Sequence, residues 1–244
     1  MQAKFKGCMK DLKKIYDIFI KKIMLILLSV IFLSSILSAQ NAPNISLPEK
    51  YRQWLDEEVV YIITEKEKEV FLQLQTDKEK DLFIEAFWAM RDPTHGTPQN
   101  EYKDEHYRRI EYANKFLGRE TSRPGWMTDR GKVYIILGAP RSIDRYDTYG
   151  VYPTEVWFYQ GDLGYPGLPS AFTIVFYKRN GIGEYRLYSP VDDGPYSLIY
   201  GYRGDRTDRK SVYDYLKNVA PLLAKNSLTL LPGEFADPYH PSLA

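Results

Sequence analysis

The sequence predicts an α+β fold: an N-terminal helical layer packed on a small, mainly antiparallel sheet, with a C-terminal helix. Three observations predict it. Between Pro48 and Leu117, apolar residues recur three or four apart behind repeated helix-start signals. After Gly118 the composition shifts to short runs of Val, Ile, Phe, Tyr and Trp, the residues that suit a pleated, half-buried surface. Helical segments come first and strand segments later, which argues against alternating βαβ units.

The elements follow in order. Ser46 and Glu49 form a capping box, and Tyr51, Trp54, Leu55 and Val59 follow at helical spacing. The β-branched run "VVYII" (59–63) predicts a short strand. Thr64 with Glu67, and Thr76 with Glu79, are two further capping boxes, opening helices to about Leu74 and Met90. Phe83, Ala86, Phe87 and Met90 share one face of the second of these. Pro93 stops it, because proline lacks the amide hydrogen and disfavours helical geometry in Asp92 before it. Asn100 opens the longest helix, to about Leu117. Strands are expected at "KVYIILG" (132–138), "EVWFYQG" (155–161), "AFTIVFYK" (171–178) and "EYRLYS" (184–189). Between the last two, "KRNGIG" is a hairpin signal, since Asn-Gly supplies the positive φ angles of a tight turn. Residues 190–210 read as loop, a helix begins near Ser211 with a kink expected at Pro221, and the tail after Leu230 is irregular.

The first 39 residues read differently. Lys21 and Lys22 precede a fifteen-residue, mostly apolar run from Ile23 to Leu37, and "SAQ" follows with Ala39 at a cleavage position. A basic stretch, a short apolar stretch and a small residue together make a secretory signal peptide. A membrane-spanning helix needs about 20 apolar residues, so an uncleaved anchor is the second reading. The long basic lead makes Met9 an alternative start. The chain thus divides into a signal peptide (1–39), a linker (40–47), a domain (48–190) and a C-terminal extension with one helix and an irregular tail (191–244). The expected location is exported, periplasmic or extracellular.

Without residues 1–39 the chain holds 26 basic and 30 acidic residues, a balance that argues against nucleic acid as a partner. The single cysteine, Cys8, precedes the apolar run, so a mature chain would carry no disulfide and no thiol chemistry. Membrane contact is expected only through the N-terminal segment, should it remain uncleaved.

"GWMTD" (125–129), with "FWAMRDP" (87–93), "TPQNEY" (97–102), "RRIEYAN" (108–114) and "GKVYIILGAP" (131–140), resembles the GWxTD domain family over roughly Tyr51 to Pro190. The resemblance implies an exported domain without an assigned activity. A weaker likeness joins "LGAP" (137–140), "EVWFYQ" and "FTIVFYKRNG" to outer-membrane assembly lipoproteins with an LGxP–WxY–hairpin pattern. The chain departs from these by lacking the lipidation cysteine, and by an expected strand where they have a helix before LGxP.

Two clusters are candidates for chemistry. In "RPGWMTDRGK", Pro124 and Gly125 make a turn, and Thr128 and Asp129 are placed to accept backbone amides one or two residues on. Gly131 would close the turn in the left-handed conformation, with Trp126 as its anchor. Gly125, Trp126, Thr128, Asp129 and Gly131 are therefore read as a structural motif; the functional alternative makes Asp129 a base or metal ligand beside Arg130. The second cluster is Arg91, Asp92, His95, Glu101 and Glu105, with His106 beside it. Glu101 and Glu105 lie one helical turn apart. HExxH and other ligand spacings are missing, as are GxSxG, a phosphate-loop lysine and GxGxxG, so no metal and no cofactor are expected. "RGD" (203–205) is a chance-level tripeptide. Tyr146, Tyr149, Tyr152, Tyr159 and Tyr165 are either a binding surface or an aromatic core.

The leading functional expectation is a non-enzymatic binding or assembly module of the cell envelope, with an envelope protein as partner. The alternatives are an envelope hydrolase using Asp92, His95 or Asp129, and a glycan-binding module working through the 146–165 aromatics. Convergence of Arg91, Asp92 and Asp129 on one open pocket would favour the hydrolase.

Overall fold

The computed structural model describes residues 47–161, 163 and 168–229. The expected signal peptide, Ser46, Tyr165 and the tail from Leu230 lie outside the described residues. The chain divides into two units, 1–47 and 48–244, and the second holds all the helices and strands of the described residues. It is an α+β domain with a four-stranded antiparallel sheet and seven helices among those residues. None of these helices is long and apolar enough to cross a membrane.

The helical layer comes first. Helix α1 (Glu49–Gln53) follows Pro48 and runs into a π-helical turn, Trp54–Glu58. Helices α2 (Glu65–Gln73) and α3 (Asp77–Ala89) each begin with the expected capping box, on Thr64–Glu67 and Thr76–Glu79. Their buried faces meet in an aromatic cluster, where Trp54 lies 5.0 Å from Phe71 and 5.2 Å from Phe87 between ring centroids. Residues 59–63 form no strand: Ile62 and Ile63 both donate to the Val59 carbonyl in a turn, and Val59 is fully buried. Tertiary contacts fix this segment, and no strand among the described residues pairs with it.

Helix α4 (Glu101–Tyr112) is capped by Asn100, whose side chain accepts from Lys103 N at 2.9 Å. It continues into a second π-helical turn, Ala113–Leu117. A 3₁₀ turn, Gly125–Met127, then leads into helix α5, Asp129–Leu137. This corrects the strand expected at 132–138. Five consecutive apolar residues, 133–137, carry no period, so the run alone does not separate a helix from a strand. The cap decides: Thr128 accepts from Gly131 N at 3.0 Å, and Gly138 ends the helix at φ +80°. Helical Val and Ile cost only up to about 0.7 kcal/mol each relative to Ala. Burial of Tyr134 and Ile135 offsets that.

Strands β1 (Ser142–Tyr146), β2 (Thr154–Gln160), β3 (Ala171–Lys178) and β4 (Tyr185–Leu187) pair in sequence order. Trp157 sits opposite Ile174 and Val156 opposite Val175, so alternate residues point to opposite faces. Trp157, Tyr159, Ile174 and Phe176 share a core with Ala113, Leu117, Trp126, Tyr134 and Ile135. Val156, Val175 and Tyr177 share the other with helices α6 (Arg209–Val219) and α7 (Pro221–Asn226), through Val212, Leu216 and Leu223. The sheet is thus covered on both faces. Asn180 (φ 57°) and Gly181 (φ 79°) make the hairpin turn as expected, and the last helical segment breaks at Ala220, one residue before Pro221.

Candidate functional site

The Gly-Trp turn is built by backbones in close approach. A Cβ on Gly125 would collide with the Ala113 carbonyl and stand 2.8 Å from Asn114 Cα. A Cβ on Gly118 would lie 2.8 Å from both Cα and N of Gly125. The opened hydrogen bonding of the π-helical turn lets Asn114 serve this junction: its Oδ1 accepts from Trp126 N at 3.0 Å. Tyr61 donates its hydroxyl to the Trp126 carbonyl at 3.0 Å, and its ring meets the indole edge-on at 6.1 Å. Thr128, 1% exposed, donates its hydroxyl to the Gly125 carbonyl at 2.8 Å while capping α5.

Two roles differ from the expected ones. Gly131 does not take a left-handed conformation; it lies in the first turn of α5. A side chain there would collide with the Gly125 carbonyl oxygen and sit 3.1 Å from Thr128 Oγ1. Its lack of Cβ serves close packing. Asp129 serves no local turn either. Its Oδ2 accepts from Leu187 N, 58 residues away, at 2.8 Å and so ties the start of α5 to β4. A carboxylate in a helix's first turn also complements the positive end of the helix dipole.

Sequence reasoning gave Arg130 no partner and did not single out Glu155. Arg130 is 5% exposed and Glu155 4%, and Arg130 Nη1 lies 3.2 Å from Glu155 Oε2. Arg130 Nη2 also pairs with Glu120 at 2.7 Å, and its guanidinium lies 4.1 Å from the Tyr185 ring centroid. Glu155 further accepts from Trp157 Nε1 at 2.9 Å and from Arg145 Nε at 3.1 Å. Arg130 Nε is buried with no partner among the described residues. The available signal was a carboxylate opening an otherwise apolar strand, "EVWFYQ".

The second candidate cluster does not assemble. Arg91 binds both oxygens of Glu67 at 2.9 Å, donates to the Phe87 and Ile62 carbonyls and lies 3.6 Å from the Phe87 ring centroid. Burial works against the Glu67 carboxylate, but Thr64 N–H and Arg91 hold it below the usual range. Asp92 accepts from Thr94 N at 2.9 Å in an Asx turn. His95 is exposed in the following loop, and Glu101 is exposed in the first turn of α4. Glu105 is held by Arg108 and Arg109, each at 2.7 Å, and these contacts keep its carboxyl low. Among the described residues, no three His, Cys, Asp or Glu side chains gather as a metal site.

A cleft of about 370 Å³ opens beside Glu105, lined by Tyr102, His106, Arg109, Ile135, Ile136 and Leu163. Arg109 donates to the Ile135 and Ile136 carbonyls at 3.2 and 3.0 Å, so its charge caps the negative end of α5. His106 Nε2 lies 2.7 Å from the Glu58 carbonyl, and burial lowers the imidazole pKa. Both side chains join helices.

The tyrosines divide. Tyr159 is 1% exposed and donates to the Gly138 carbonyl at 3.2 Å. Tyr146 packs against the second core. Tyr149, by contrast, is 83% exposed and meets Tyr200 edge-on at 5.9 Å, while Tyr152 lies 5.4 Å from Tyr200. In the "RGD" loop, Asp205 accepts from Thr207 N and Oγ1.

The domain is therefore defined by an invaginated Gly-Trp turn that locks a helical layer onto a meander sheet through a buried ion network. The GWxTD domain model matches residues 35–189, and the chain belongs to that family. Searches of the curated proteins and of the solved structures returned no match.

Proposed function

We propose that this chain is an exported, non-enzymatic binding or assembly module of the cell envelope. One observation carries the non-enzymatic part: Arg91 pairs with Glu67, Asp92 with the Thr94 amide and Asp129 with the Leu187 amide, so each side chain holds a separate local or interelement bond. A general base needs hydrogen-bond reach to a substrate and a partner to orient it. The apolar run at 23–37, followed by Ala39 and Gln40, supports export.

The test uses the native host. Cells lacking the gene are complemented with wild type or with an Asp92→Asn/His95→Ala double variant, and fractionated. A mature chain beginning at Gln40 is expected in the envelope or periplasmic fraction, with equal complementation by both forms. Recovery of the chain in the cytosol would overturn export. Loss of complementation by a folded double variant would restore the hydrolase reading.

A further inference from the structure

We infer that the exposed tyrosine corner formed by Tyr149, Tyr152 and Tyr200 is a docking surface for a neutral polysaccharide. The inference rests on the binding-module reading above and names its ligand class. Tyr149 and Tyr200 stand at 74° to each other, so one ring forms a floor and the other a wall. Tyr152 extends the wall at a tilt of 41°. The corner is held in place from behind. Tyr152 N donates to the Leu198 carbonyl at 2.9 Å and Tyr200 N to the Gly150 carbonyl at 3.0 Å, around a bridge between Val151 and Ile199. Val151 and Ile199 are each 1% exposed and anchor that ribbon in the core. Gly150 and Gly201 take positive φ, which sets the loop path, and Gly181 of the hairpin turn brings backbone against the Tyr152 ring.

The chemistry selects the occupant. The three rings carry no charge, and the charged residues nearest in sequence to Tyr149 and Tyr200, Asp147 before the first and Arg203 after the second, are of opposite sign. Neither nucleic acid nor an anionic lipid surface is drawn to such a patch, since both need clustered Lys and Arg. A protein partner of ordinary affinity needs about 20–30 residues a side. Here the exposed apolar groups are the Tyr149 and Tyr200 rings and Ile182 at the hairpin, with Tyr152 half-buried beside them. That extent suits one or two sugar rings, whose apolar C–H faces stack on an aromatic face. Among the described residues, none of the three hydroxyls has a hydrogen-bond partner, which leaves each for a sugar hydroxyl. Tyrosine gives such contact at low entropic cost, having few rotatable bonds.

The test is affinity electrophoresis of the mature chain in gels containing β-glucan, mannan, dextran or neutral polysaccharide extracted from the host envelope. Retardation is expected in at least one gel and should persist in high salt. Removing one stacking ring lowers affinity on the order of tenfold, so Tyr149→Ala and Tyr200→Ala should migrate nearly freely while Tyr149→Trp is still retarded. Tyr149 is mostly solvent-exposed, so its variants should melt with wild type. Free migration in every gel, or retardation unchanged by Tyr149→Ala, overturns the inference. A photocrosslink from position 149 to a polypeptide, with no retardation, assigns the corner to a protein and also overturns it. Such failures leave the envelope fractionation standing; cytosolic recovery of the chain would sink the binding-module reading independently.

Discussion

Gly131→Ala is the substitution whose sign best tests the close-packed turn. In an ordinary helix interior the change is favourable by about 1 kcal/mol, because alanine has the higher helix propensity. Gly131 sits in the first turn of α5, yet an added methyl would strike the Gly125 carbonyl oxygen and approach the Gly125 carbonyl carbon to 2.9 Å. Gly125 itself has no room to withdraw, since it abuts Ala113 and Asn114 on its other side. Overpacking against groups that do not yield costs about 1–3 kcal/mol, and with backbone on both sides the upper end applies. The propensity gain offsets about 1 of those, leaving a net loss near 2 kcal/mol. For a domain of this size that lowers the melting temperature by about 4–8 °C. Thermal unfolding followed by circular dichroism, with urea midpoints as a second measure, gives the sign directly. A Gly131→Ala protein that melts at or above wild type would refute the close-approach account.

The other expectations concern the same junction and one buried histidine. Trp126→Ala should cost about 3–5 kcal/mol as a core truncation, read from urea midpoints. Asp129→Ala leaves the Leu187 amide without its acceptor and should cost about 1–3 kcal/mol. Asp129→Asn keeps an acceptor oxygen and should lose only about 0.3–1 kcal/mol from the missing charge at the helix start. Equal melts for the two variants would remove the Leu187 bond from the account. Glu155→Leu leaves the buried Arg130 guanidinium with Glu120 alone and the Trp157 indole N–H without its acceptor, and should cost about 3–5 kcal/mol, whereas Arg130→Met with Glu155→Leu together should recover part of it. His106 has its pKa lowered by burial, so the folded state favours the neutral ring. Its contribution is therefore complete above the unfolded value near 6.5 and is lost as pH falls through that value toward the lower folded one. Urea midpoints should drop between about pH 7.5 and 5.5 more in wild type than in His106→Gln, and identical drops would dismiss the residue as the cause.

The features legible in adjacent residues are local ones. Thr64 with Glu67, Thr76 with Glu79, and Asn100 satisfy helix-start amides within three residues, so their hydrogen bonds are written in adjacent letters. Asn180 and Gly181 set their turn by their own backbone preferences. The β-branched and aromatic residues of 171–178 mark a strand, and the ordered GWxTD motifs identify the family. Tertiary structure decided the rest, because the deciding partners lie far along the chain. The run at 133–137 has no period of its own and becomes helix through its cap and its packing against α4 and the sheet. Asp129 finds its acceptor role on β4, Arg130 meets Glu155 across 25 residues, and Gly131 is required by a carbonyl belonging to Gly125. The candidate site followed the same division. Residue types that can do chemistry were legible at Arg91, Asp92, His95, Glu101 and Glu105, but convergence is a property of three-dimensional neighbours, and Glu67, Thr94, Arg108 and Arg109 claim three of the five. The tyrosines show it most plainly: Tyr149 and Tyr159 are alike as letters, and only the fold sends one into the core and leaves the other in solvent.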